Sequence, residues 1–351
     1  MRELLINGVR IADDEPCFVI AELGNNHGGS VTTAAALIKQ AAAAGASAVK
    51  LQKRTIEACY TPQLLASPYA NEHSYGATYG EHRRALEFDW QAYVSCRAVA
   101  KGCGLTFFAT AFDEEAADFL MQIGVPGFKI ASGDLTNTPL LKHCAKYGLP
   151  VIVSTGGGSI ADIDRAMEAL GSCPRALLHC TASYPLDAEQ AHLRVIPALR
   201  QRYPETVIGW SSHSPGIALS LVAYAFGARI IEQHVTLSRA AKGTDHGFSL
   251  EPKGLQTLVD DLAKVRAAQG LGEKVRLACE AAPLRKMAKS LVGARDLPVG
   301  HRLTAADLAR KSPADGMPPY LIESLVGFPL AKPLAQDELL TEAHLSSVTH
   351  A

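Results

Sequence analysis

One segment sets a pattern that the chain repeats: Ile230-Ile231-Glu232-Gln233-His234-Val235-Thr236-Leu237. Its β-branched residues predict a buried strand. Burying the glutamate and the histidine inside that strand costs several kcal/mol unless both are paired or bound to a ligand. We therefore expect this strand to lead into a functional site.

Apolar segments that end in polar residues and precede amphipathic helices recur along the chain. Strands are predicted at residues 18–23, 48–53, 105–112, 127–132, 151–154, 176–181, 207–211 and 230–235. Helices are predicted at residues 32–44, 114–123, 139–147, 161–170, 193–202, 218–226 and 255–269. Eight such units favour an α/β fold, the (β/α)8 TIM barrel. A doubly wound open sheet is the alternative, but it would have fewer strands and a GxGxxG turn, where this chain has Gly24-Asn25-Asn26-His27-Gly28-Gly29.

The ends of the chain depart from this repeat. Asn7-Gly8 between two apolar runs predicts a type I′ hairpin, which we assign with the barrel to a domain of residues 1–278. Residues 279–287 are expected to be a linker and residues 288–351 a small second domain. That domain contains a degenerate repeat, residues 297–308 and 334–345, in which each half predicts a turn, a short strand and a threonine-capped helical turn.

Composition excludes several classes of protein. The 351 residues carry a formal net charge of -1, which gives no general attraction to nucleic acid or to an anionic membrane. No apolar run reaches the roughly 18 residues that span a bilayer, and the N-terminus does not resemble a signal peptide. The eight cysteines are scattered without a CxxC pair. We expect free thiols and a cytoplasmic protein.

Polar residues at the strand ends are the candidates for chemistry, because active sites of these barrels form at the carboxyl ends of the strands. They are Glu22, Asn26, His27, Lys50, Gln52, Thr110, Lys129, Ser132, Ser154, Tyr184, Ser211, His213, Glu232 and His234. Two lysines and several hydroxyls at one barrel mouth predict a phosphate site. The alternative for each lysine is an ammonium group that reaches the solvent at the barrel rim.

Two histidines follow neighbouring strands, His213 after residues 207–211 and His234 within the last strand. Two histidines suit a metal that keeps open positions for water and substrate, whereas two hydrogen-bonded core histidines are the alternative. Glu22 is the candidate base or carboxylate ligand, or else the ion-pair partner of a lysine. Asp245 could order the bound water or a sugar, or could simply belong to a turn.

One connection is unusually long. Residues 56–89 separate the second strand from the next predicted unit, and a long loop at the catalytic face commonly forms a lid or a wall of the substrate site. A surface insertion is the alternative.

Together these motifs resemble the sialic acid synthase family, whose members condense phosphoenolpyruvate with a mannose-type aldose. The resemblance lies in these segments: Ile20-Ala21-Glu22-Leu23-Gly24-Asn25-Asn26-His27, Val49-Lys50-Leu51-Gln52-Lys53, Phe128-Lys129-Ile130-Ala131-Ser132-Gly133-Asp134, His179-Cys180-Thr181-Ala182-Ser183-Tyr184-Pro185 and Ile231-Glu232-Gln233-His234. The C-terminal unit is similar to the SAF domain of that family, an antifreeze-like β-clip. The resemblance implies a TIM barrel followed by this small domain.

The resemblance also implies roles for individual residues. It assigns His213 and His234 to a divalent metal, most commonly Mn²⁺, with Mg²⁺ or Co²⁺ as alternatives. It assigns phosphoenolpyruvate to Lys50, Thr110, Lys129, Ser132, Ser154 and Ser211. It assigns the surroundings of the sugar and the metal to Glu22, Gln52, Tyr184 and Asp245. It further implies a domain-swapped homodimer that acts on small molecules, and the net charge and hydropathy described above predict no nucleic-acid or membrane partner.

The sugar is the open part of this interpretation. The segment Thr78-Tyr79-Gly80-Glu81-His82 is similar to the animal-type synthases, which use 6-phosphorylated N-acetylmannosamine or mannose, whereas bacterial types use unphosphorylated N-acetylmannosamine. Ala182 stands where many bacterial members have asparagine. Ser312 stands where many have an arginine that reaches the N-acetyl group, a role that Arg310 or Lys311 could take.

The expected reaction begins when the metal polarises the sugar aldehyde and carbon 3 of phosphoenolpyruvate attacks it. Water then adds to carbon 2, Glu22 transfers the proton, and phosphate leaves by cleavage of the C–O bond. Three alternatives remain at this point. One is a legionaminate- or pseudaminate-type synthase that uses a diacetamido sugar, one is a class I aldolase with Lys129 or Lys50 as the Schiff base, and one is a sugar- or ice-binding protein.

Overall fold

A computed structural model describes residues 2–270 and 272–345. The chain forms two compact units that divide after Gly270. The first begins with a hairpin of two antiparallel strands, β1 (Glu3–Ile6) and β2 (Val9–Ala12), in which Ile6 lies opposite Val9. Asn7 and Gly8 both adopt positive φ angles, 50° and 77°, as a type I′ turn requires. The predicted hairpin is confirmed.

Eight parallel strands follow and close into a barrel, because β10 pairs with both β9 and β3. The strands are β3 (Phe18–Glu22), β4 (Ala48–Lys53), β5 (Thr106–Ala111), β6 (Phe128–Ile130), β7 (Val151–Ser154), β8 (Arg175–Cys180), β9 (Val207–Ser212) and β10 (Ile230–His234). The TIM-barrel prediction is confirmed, and every predicted strand begins and ends within two residues of an observed one.

Helices alternate with these strands. They are α1 (Val31–Ala43), α2 (Ile56–Cys59), α3 (Pro62–Leu65), α4 (Tyr79–Leu86), α5 (Trp90–Gly102), α6 (Glu114–Ile123), α7 (Thr138–Ala145), α8 (Ile160–Leu170), α9 (Val195–Arg202), α10 (Ala218–Ala225) and α11 (Pro252–Ala268). Capping side chains fix several starts: Ser30, Asp113 and Ser159 each accept a hydrogen bond from a backbone N–H of the first turn. Among the described residues, no helix combines the length and the apolar character needed to cross a membrane.

The long connection at residues 56–89 is more regular than a loop. It contains α2, α3 and α4, and a capping box of Thr78 and Glu81 begins α4. Tyr75 Oη donates to the carbonyl oxygen of Lys242 over 2.5 Å, so the connection is held against the segment that follows β10. Both segments lie beyond the carboxyl ends of their strands, where they form a wall at the barrel mouth.

The second unit is small and has its own core. It contains α12 (Ala281–Met287), β11 (Ser290–Gly293), β12 (Leu308–Lys311) and α13 (Ile322–Leu325), with β11 antiparallel to β12. Its buried core consists of Leu291, Leu297, Leu303, Leu308, Leu325, Leu330, Leu334 and Leu340. Helix α12 occupies most of the segment expected to be a linker, and the domain limits at 278 and 288 stay predictions.

The predicted repeat is visible within this unit. One 3-10 turn, Ala305–Asp307, begins at Thr304, and the other, Glu342–His344, begins at Thr341. Both turns have the reciprocal cap in which the third residue's side chain accepts from the threonine backbone. An antiparallel bridge pairs Leu297 with Leu334, one residue from each half. The short strands expected in the halves are therefore mostly isolated bridges.

Candidate active site

A cavity of about 540 Å³ opens at the carboxyl ends of the barrel strands. All twelve residues expected at the site line it: Glu22, Lys50, Gln52, Thr110, Lys129, Ser132, Ser154, Tyr184, Ser211, His213, His234 and Asp245. Glu232 also lines the cavity. The sequence therefore identified the wall of one site, although the role of each residue stays a prediction.

The register of the strands explains why these side chains meet. Glu22 is level with His234 on one neighbouring strand and with Lys50 on the other. Glu232 is level with Ser211. Paired residues on adjacent parallel strands point to the same side of the sheet, so a glutamate, a lysine and a histidine become neighbours although they are far apart in sequence.

Lys50 and Glu22 form a buried ion pair, with 2.6 Å between Lys50 Nζ and Glu22 Oε2. Lys50 also donates to Thr110 Oγ1 over 2.8 Å, and Gln52 Nε2 donates to Glu22 Oε1 over 2.7 Å. Lys50 is only 2% exposed, which excludes the alternative of an ammonium group at the solvent. Glu22 is thus both a lysine partner and a cavity-lining carboxylate, so the two interpretations of this residue coexist.

Lys129 and Glu232 form the second half of this charged layer. Lys129 Nζ donates to Ser154 Oγ over 2.6 Å, and burial lowers the pKa of its ammonium group. Burial opposes ionisation of Glu232, but Lys129 and Lys50 outweigh burial and lower the pKa of that carboxyl. Glu232 Oε1 accepts from Ser211 Oγ over 3.2 Å and lies 3.8 Å from Lys50 Nζ. We call Glu22, Lys50, Lys129 and Glu232 the strand-borne cluster.

The two histidines lie side by side, with 5.4 Å between their ring centroids. His213 Nδ1 lies 3.0 Å from the carbonyl oxygen of Thr181, which can only accept, so Nδ1 carries the proton and Nε2 keeps its lone pair. Burial, followed by the neighbouring His234, lowers the pKa of His213 to about 4, which keeps the ring neutral.

His234 has an unsatisfied nitrogen. Its Nδ1 is buried without a hydrogen-bond partner, and Asp245 Oδ2 is 3.8 Å away. Gly24 makes this approach possible, since its φ is 53° and a Cβ there would be 3.4 Å from the His234 ring and 3.3 Å from Asp245 Oδ2. A neutral imidazole and an orphaned imidazole nitrogen fit a divalent metal with open positions. Residues 2–270 and 272–345 contain no group of three or more His, Cys, Asp or Glu side chains that could hold a metal ion, so the protein side chains offered to a metal here are the two histidines.

Aromatic rings pack against both histidines: Tyr184, which lines the cavity, and Phe248. The Tyr184 ring lies 4.0 Å from His213, and Phe248 is 5.1 Å from His234, measured between centroids. These aromatic contacts fix both imidazole rings. Ala182 also lines the cavity, at the position where the resemblance gives many bacterial members an asparagine. Ser312 belongs to the second unit, where its Oγ donates to the carbonyl oxygen of Met287 over 3.2 Å.

Two polar residues expected near the site turn away from it. Asn26 donates to the carbonyl oxygen of Val235 over 2.8 Å and to Ser249 Oγ over 2.9 Å. His27 packs on Phe88, with 4.1 Å between ring centroids. Both residues tie the turn after β3 to the scaffold, and neither lines the cavity.

The cavity contains two arginines that sequence reasoning missed, Arg54 and Arg83. Arg54 could have been predicted from the sequence, because residues 50, 52 and 54 alternate along an extended segment, which places Arg54 on the same face as Lys50 and Gln52. Arg83 had none, because it lies on α4 beside Arg84 and the orientation of that helix cannot be read from the sequence. Asn25, Tyr69, Phe112, Cys180 and Thr244 are further lining residues outside the predicted set.

Comparison with known proteins gives a consistent result. The model of the NeuB family matches residues 37–274, and that of the SAF domain matches residues 288–346. The chain is 38% identical over 346 residues to the N-acetylneuraminate-9-phosphate synthase of Mus musculus, covering 98% of this chain and 96% of that protein. It is 34% identical over 336 residues to the N,N'-diacetyllegionaminic acid synthase of Campylobacter jejuni, covering 92% and 98%.

A solved structure agrees with these matches. The N-acetylneuraminic acid (sialic acid) synthetase of Leptospira borgpetersenii, in complex with citrate, superposes with a TM-score of 0.71 at 35% identity. The superposition covers 80% of this chain and 95% of that one.

Proposed function

The chain belongs to the NeuB family, and from that premise we propose that it condenses phosphoenolpyruvate with N-acetylmannosamine 6-phosphate, giving N-acetylneuraminate 9-phosphate and inorganic phosphate. One observation carries the proposal: two buried lysines and two adjacent histidines line one cavity at the barrel mouth together with the hydroxyl residues Thr110, Ser132, Ser154 and Ser211. The choice of a phosphorylated sugar follows the mouse relative, which is more similar to this chain than the legionaminic acid synthase is.

Lys50 and Lys129 are proposed to hold the carboxylate and the phosphate of phosphoenolpyruvate. Each ammonium group already has a hydroxyl neighbour, Thr110 for Lys50 and Ser154 for Lys129. Ammonium and hydroxyl donors together can satisfy several oxygens of one anion. Because both lysines are anchored by buried hydrogen bonds, carbon 3 of the bound substrate would be held in one orientation toward the sugar aldehyde.

Membership of the family implies a divalent metal, and His213 and His234 are the residues proposed to hold it. When bound there, a divalent ion supplies Lewis-acid polarisation of the aldehyde oxygen. Manganese is the ion we propose. Tyr184 and Phe248 keep both imidazoles in place by ring contacts.

Glu22 is proposed to take the proton of the water that adds to carbon 2. Lys50 and Gln52 fix its two oxygens, so the carboxylate is oriented before the substrates arrive. The new bonds join carbon 3 to the aldehyde carbon and the water oxygen to carbon 2, and the former aldehyde oxygen takes up a proton and becomes a hydroxyl group. The carbon–oxygen bond to the phosphate then breaks, and the carbon 2 hydroxyl gives up its proton as the keto group forms.

A panel of sugars tests this function. The protein is incubated with phosphoenolpyruvate, Mn²⁺ and one of four acceptors: N-acetylmannosamine, its 6-phosphate, mannose 6-phosphate or a diacetamido sugar. We expect phosphate release to be fastest with N-acetylmannosamine 6-phosphate and to stop with a chelator. If none of the four acceptors supports phosphate release, the proposal is overturned. If release is fastest with the diacetamido sugar, a legionaminate-type synthase is favoured.

The metal assignment has a separate test. His213→Ala is expected to weaken Mn²⁺ binding by more than about 100-fold, since changing a residue that only hydrogen-bonds to a metal ligand already costs about 10- to 100-fold. Calorimetric titration with Mn²⁺ measures this directly, with His143→Gln as a control because His143 pairs with Asp118 away from the cavity. Unchanged Mn²⁺ affinity in His213→Ala would exclude the pair as the metal site.

A Schiff-base aldolase has one observation in its favour, the burial that lowers the pKa of Lys129. A neutral amine is the form that attacks a carbonyl group. Borohydride with pyruvate would trap such an adduct on Lys129, and we expect no trapped adduct.

The setting of the enzyme is part of the proposal. All eight cysteines are free, which suits the reducing cytoplasm. The domain-swapped homodimer stays a prediction, which analytical ultracentrifugation would test.

A further inference from the structure

The unpredicted arginines of the cavity differ from the other basic residues around them. Lys50 pairs with Glu22, Lys53 pairs with Glu87, and Arg84 pairs with Glu57. Among residues 2–270 and 272–345, Arg54 and Arg83 make no ion pair with a carboxylate. A cation that lines a cavity without an anionic partner is a candidate for binding an anionic ligand.

Arg54 is held rigidly although it is unpaired. It is only 7% exposed, and its guanidinium group lies 3.6 Å from the centroid of the Phe112 ring. One terminal nitrogen donates to Gln52 Oε1 over 2.7 Å, and the buried Nε has no acceptor. Asp134 and Glu87 lie within electrostatic range of Arg54, and Glu87 Oε1 accepts from the Arg54 backbone N–H over 3.2 Å, but neither carboxylate forms an ion pair with the guanidinium group. Burying a permanent cation in this way is costly unless a ligand compensates for it.

Arg83 reaches the same part of the cavity from helix α4. Its Nε donates to Tyr79 Oη over 2.8 Å, and its guanidinium carbon lies 4.9 Å from the Tyr79 ring centroid. Tyr60 packs edge-on against Tyr79 and connects the two arginines. Burial raises the pKa of Tyr60, while the positive charges of Arg54 and Arg83 both oppose that rise, so both guanidinium groups act electrostatically on this one phenol.

The charges that line the cavity indicate what this pair would bind. The lining contains four cations, Lys50, Arg54, Arg83 and Lys129, and three carboxylates, Glu22, Glu232 and Asp245. The carboxylates lie with the lysines and histidines, as described above. The arginines follow the end of β4, whereas His213 follows β9 and His234 is the last residue of β10, with β3 between β10 and β4. A ligand that contacts both sets of residues would place an anionic group beside the arginines and its other end beside the histidines.

We propose that Arg54 and Arg83 form a second anion subsite, which holds the terminal phosphate of a phosphorylated sugar acceptor. This inference rests on the proposed condensation and assigns the residues that select the phosphorylated sugar. Guanidinium groups present planar, fork-like donors that match phosphate oxygens. With the phosphate at one end, the aldehyde of the open-chain sugar extends toward the histidines at the other.

The test compares two neighbouring arginines of one helix. Arg83→Gln removes the charge inside the cavity, and Arg84→Gln removes the same charge from the exposed ion pair with Glu57. For Arg83→Gln we expect kcat/KM for N-acetylmannosamine 6-phosphate to fall by about 10- to 100-fold, the range of a lost charge-assisted hydrogen bond. The loss for unphosphorylated N-acetylmannosamine should be smaller by about tenfold, and the KM for phosphoenolpyruvate should stay near the wild-type value. Arg84→Gln should match the wild type.

Two further variants protect this test against a simple folding defect. Arg83→Lys keeps the positive charge but lacks the paired, planar N–H donors of a guanidinium group. It is expected to recover part of the kcat/KM that Arg83→Gln loses with N-acetylmannosamine 6-phosphate. Arg54→Lys should lower the preference for the phosphorylated sugar in the same direction as Arg83→Gln. An equal loss with both sugars, or a raised KM for phosphoenolpyruvate, would overturn the subsite.

Failure of the subsite and failure of the proposed reaction give different results. Wild-type protein that releases phosphate equally well with both sugars overturns the subsite and leaves the condensation standing. If no sugar supports release, the condensation fails, and calorimetric titration with N-acetylmannosamine 6-phosphate alone still tests the subsite. In that titration, weaker binding to Arg83→Gln than to Arg84→Gln supports it, and equal binding overturns it.

Discussion

Charge is arranged differently in two regions of one cavity. The strand-borne cluster places two glutamates and two lysines on barrel strands, and every member has an oppositely charged neighbour. The arginine pair, Arg54 and Arg83, lies beyond the strand ends, where both guanidinium groups contact aromatic rings and, among the described residues, neither forms an ion pair with a carboxylate. Paired charges can be buried in the absence of substrate, whereas unpaired charges gain their partner only from a ligand. The cluster therefore suits chemistry and orientation, and the arginine pair suits selection.

The largest difference between the regions is expected in catalysis. Glu22→Gln keeps the size and the hydrogen bond to Gln52 but removes the proposed base. We expect kcat to fall by about 10²- to 10⁴-fold, the usual contribution of a general base, while the KM for the sugar phosphate changes little. Arg83→Gln should show the reverse division between kcat and KM. A Glu22→Gln enzyme with wild-type kcat would remove the base assignment.

The second-largest difference between the two regions is expected in how much a substitution lowers the free energy of unfolding. Lys50→Met leaves Glu22 buried without its ion-pair partner, and breaking a buried pair typically costs about 3–5 kcal/mol. Arg83→Gln breaks no pair and should cost less than about 1 kcal/mol. Urea unfolding of the metal-free variants measures both free energies. If both substitutions lower the free energy of unfolding by the same amount, the paired lysine and the unpaired arginine do not differ in their contribution to stability.

On acidification, the free energy of unfolding should fall first because of His27, which lies outside the cavity, and only at lower pH because of the strand-borne cluster. Burial lowers the pKa of His27 to about 4, so below pH 6.5 the unfolded chain takes up a proton that the folded chain resists. Stability from this residue is complete above pH 6.5 and is lost as the pH falls toward 4, by about 3 kcal/mol at about 1.4 kcal/mol per pKa unit.

The matched variant for this effect is His27→Gln, which cannot titrate. Relative to the wild type, its free energy of unfolding should improve progressively between pH 6.5 and pH 4 in urea titrations. Glu232 should contribute little loss over most of that range, because its pKa is lowered and its carboxylate stays ionised. A constant difference between wild type and His27→Gln over this range would contradict the prediction.

The smallest difference between the two regions is expected in how the KM values of the two anionic substrates depend on salt concentration. Raising the ionic strength from about 0.15 M to about 1 M shortens the screening length from about 8 Å to about 3 Å. Arg83 is half-buried and the lysines are fully buried, so the KM for the sugar phosphate should rise more than the KM for phosphoenolpyruvate. Unphosphorylated N-acetylmannosamine serves as the control for general salt effects. Equal salt dependence for both anionic substrates would place the arginine pair in the same environment as the lysines.

The strand-borne cluster could be predicted because the signals for it are local. Each strand is an apolar run of fixed period, and its polar end is visible in the sequence. A closed parallel barrel brings all such ends to one mouth, so predicting the fold was enough to gather residues as distant as Glu22 and His234. Asn26 and His27 were misplaced because a tight turn after β3 sends successive side chains in different directions, and the sequence does not give that turn's geometry.

The sequence by itself determined the barrel, the small leucine-cored unit and the lysines, glutamates and histidines of the mouth, since periodicity and burial act on each strand separately. Only the tertiary structure decided between Arg83 and Arg84. Adjacent residues on a helix point about 100° apart, so one faces the cavity and the other pairs with Glu57 at the surface. That choice depends on how α4 packs within the long connection, which is a property of the assembled wall and of no single segment.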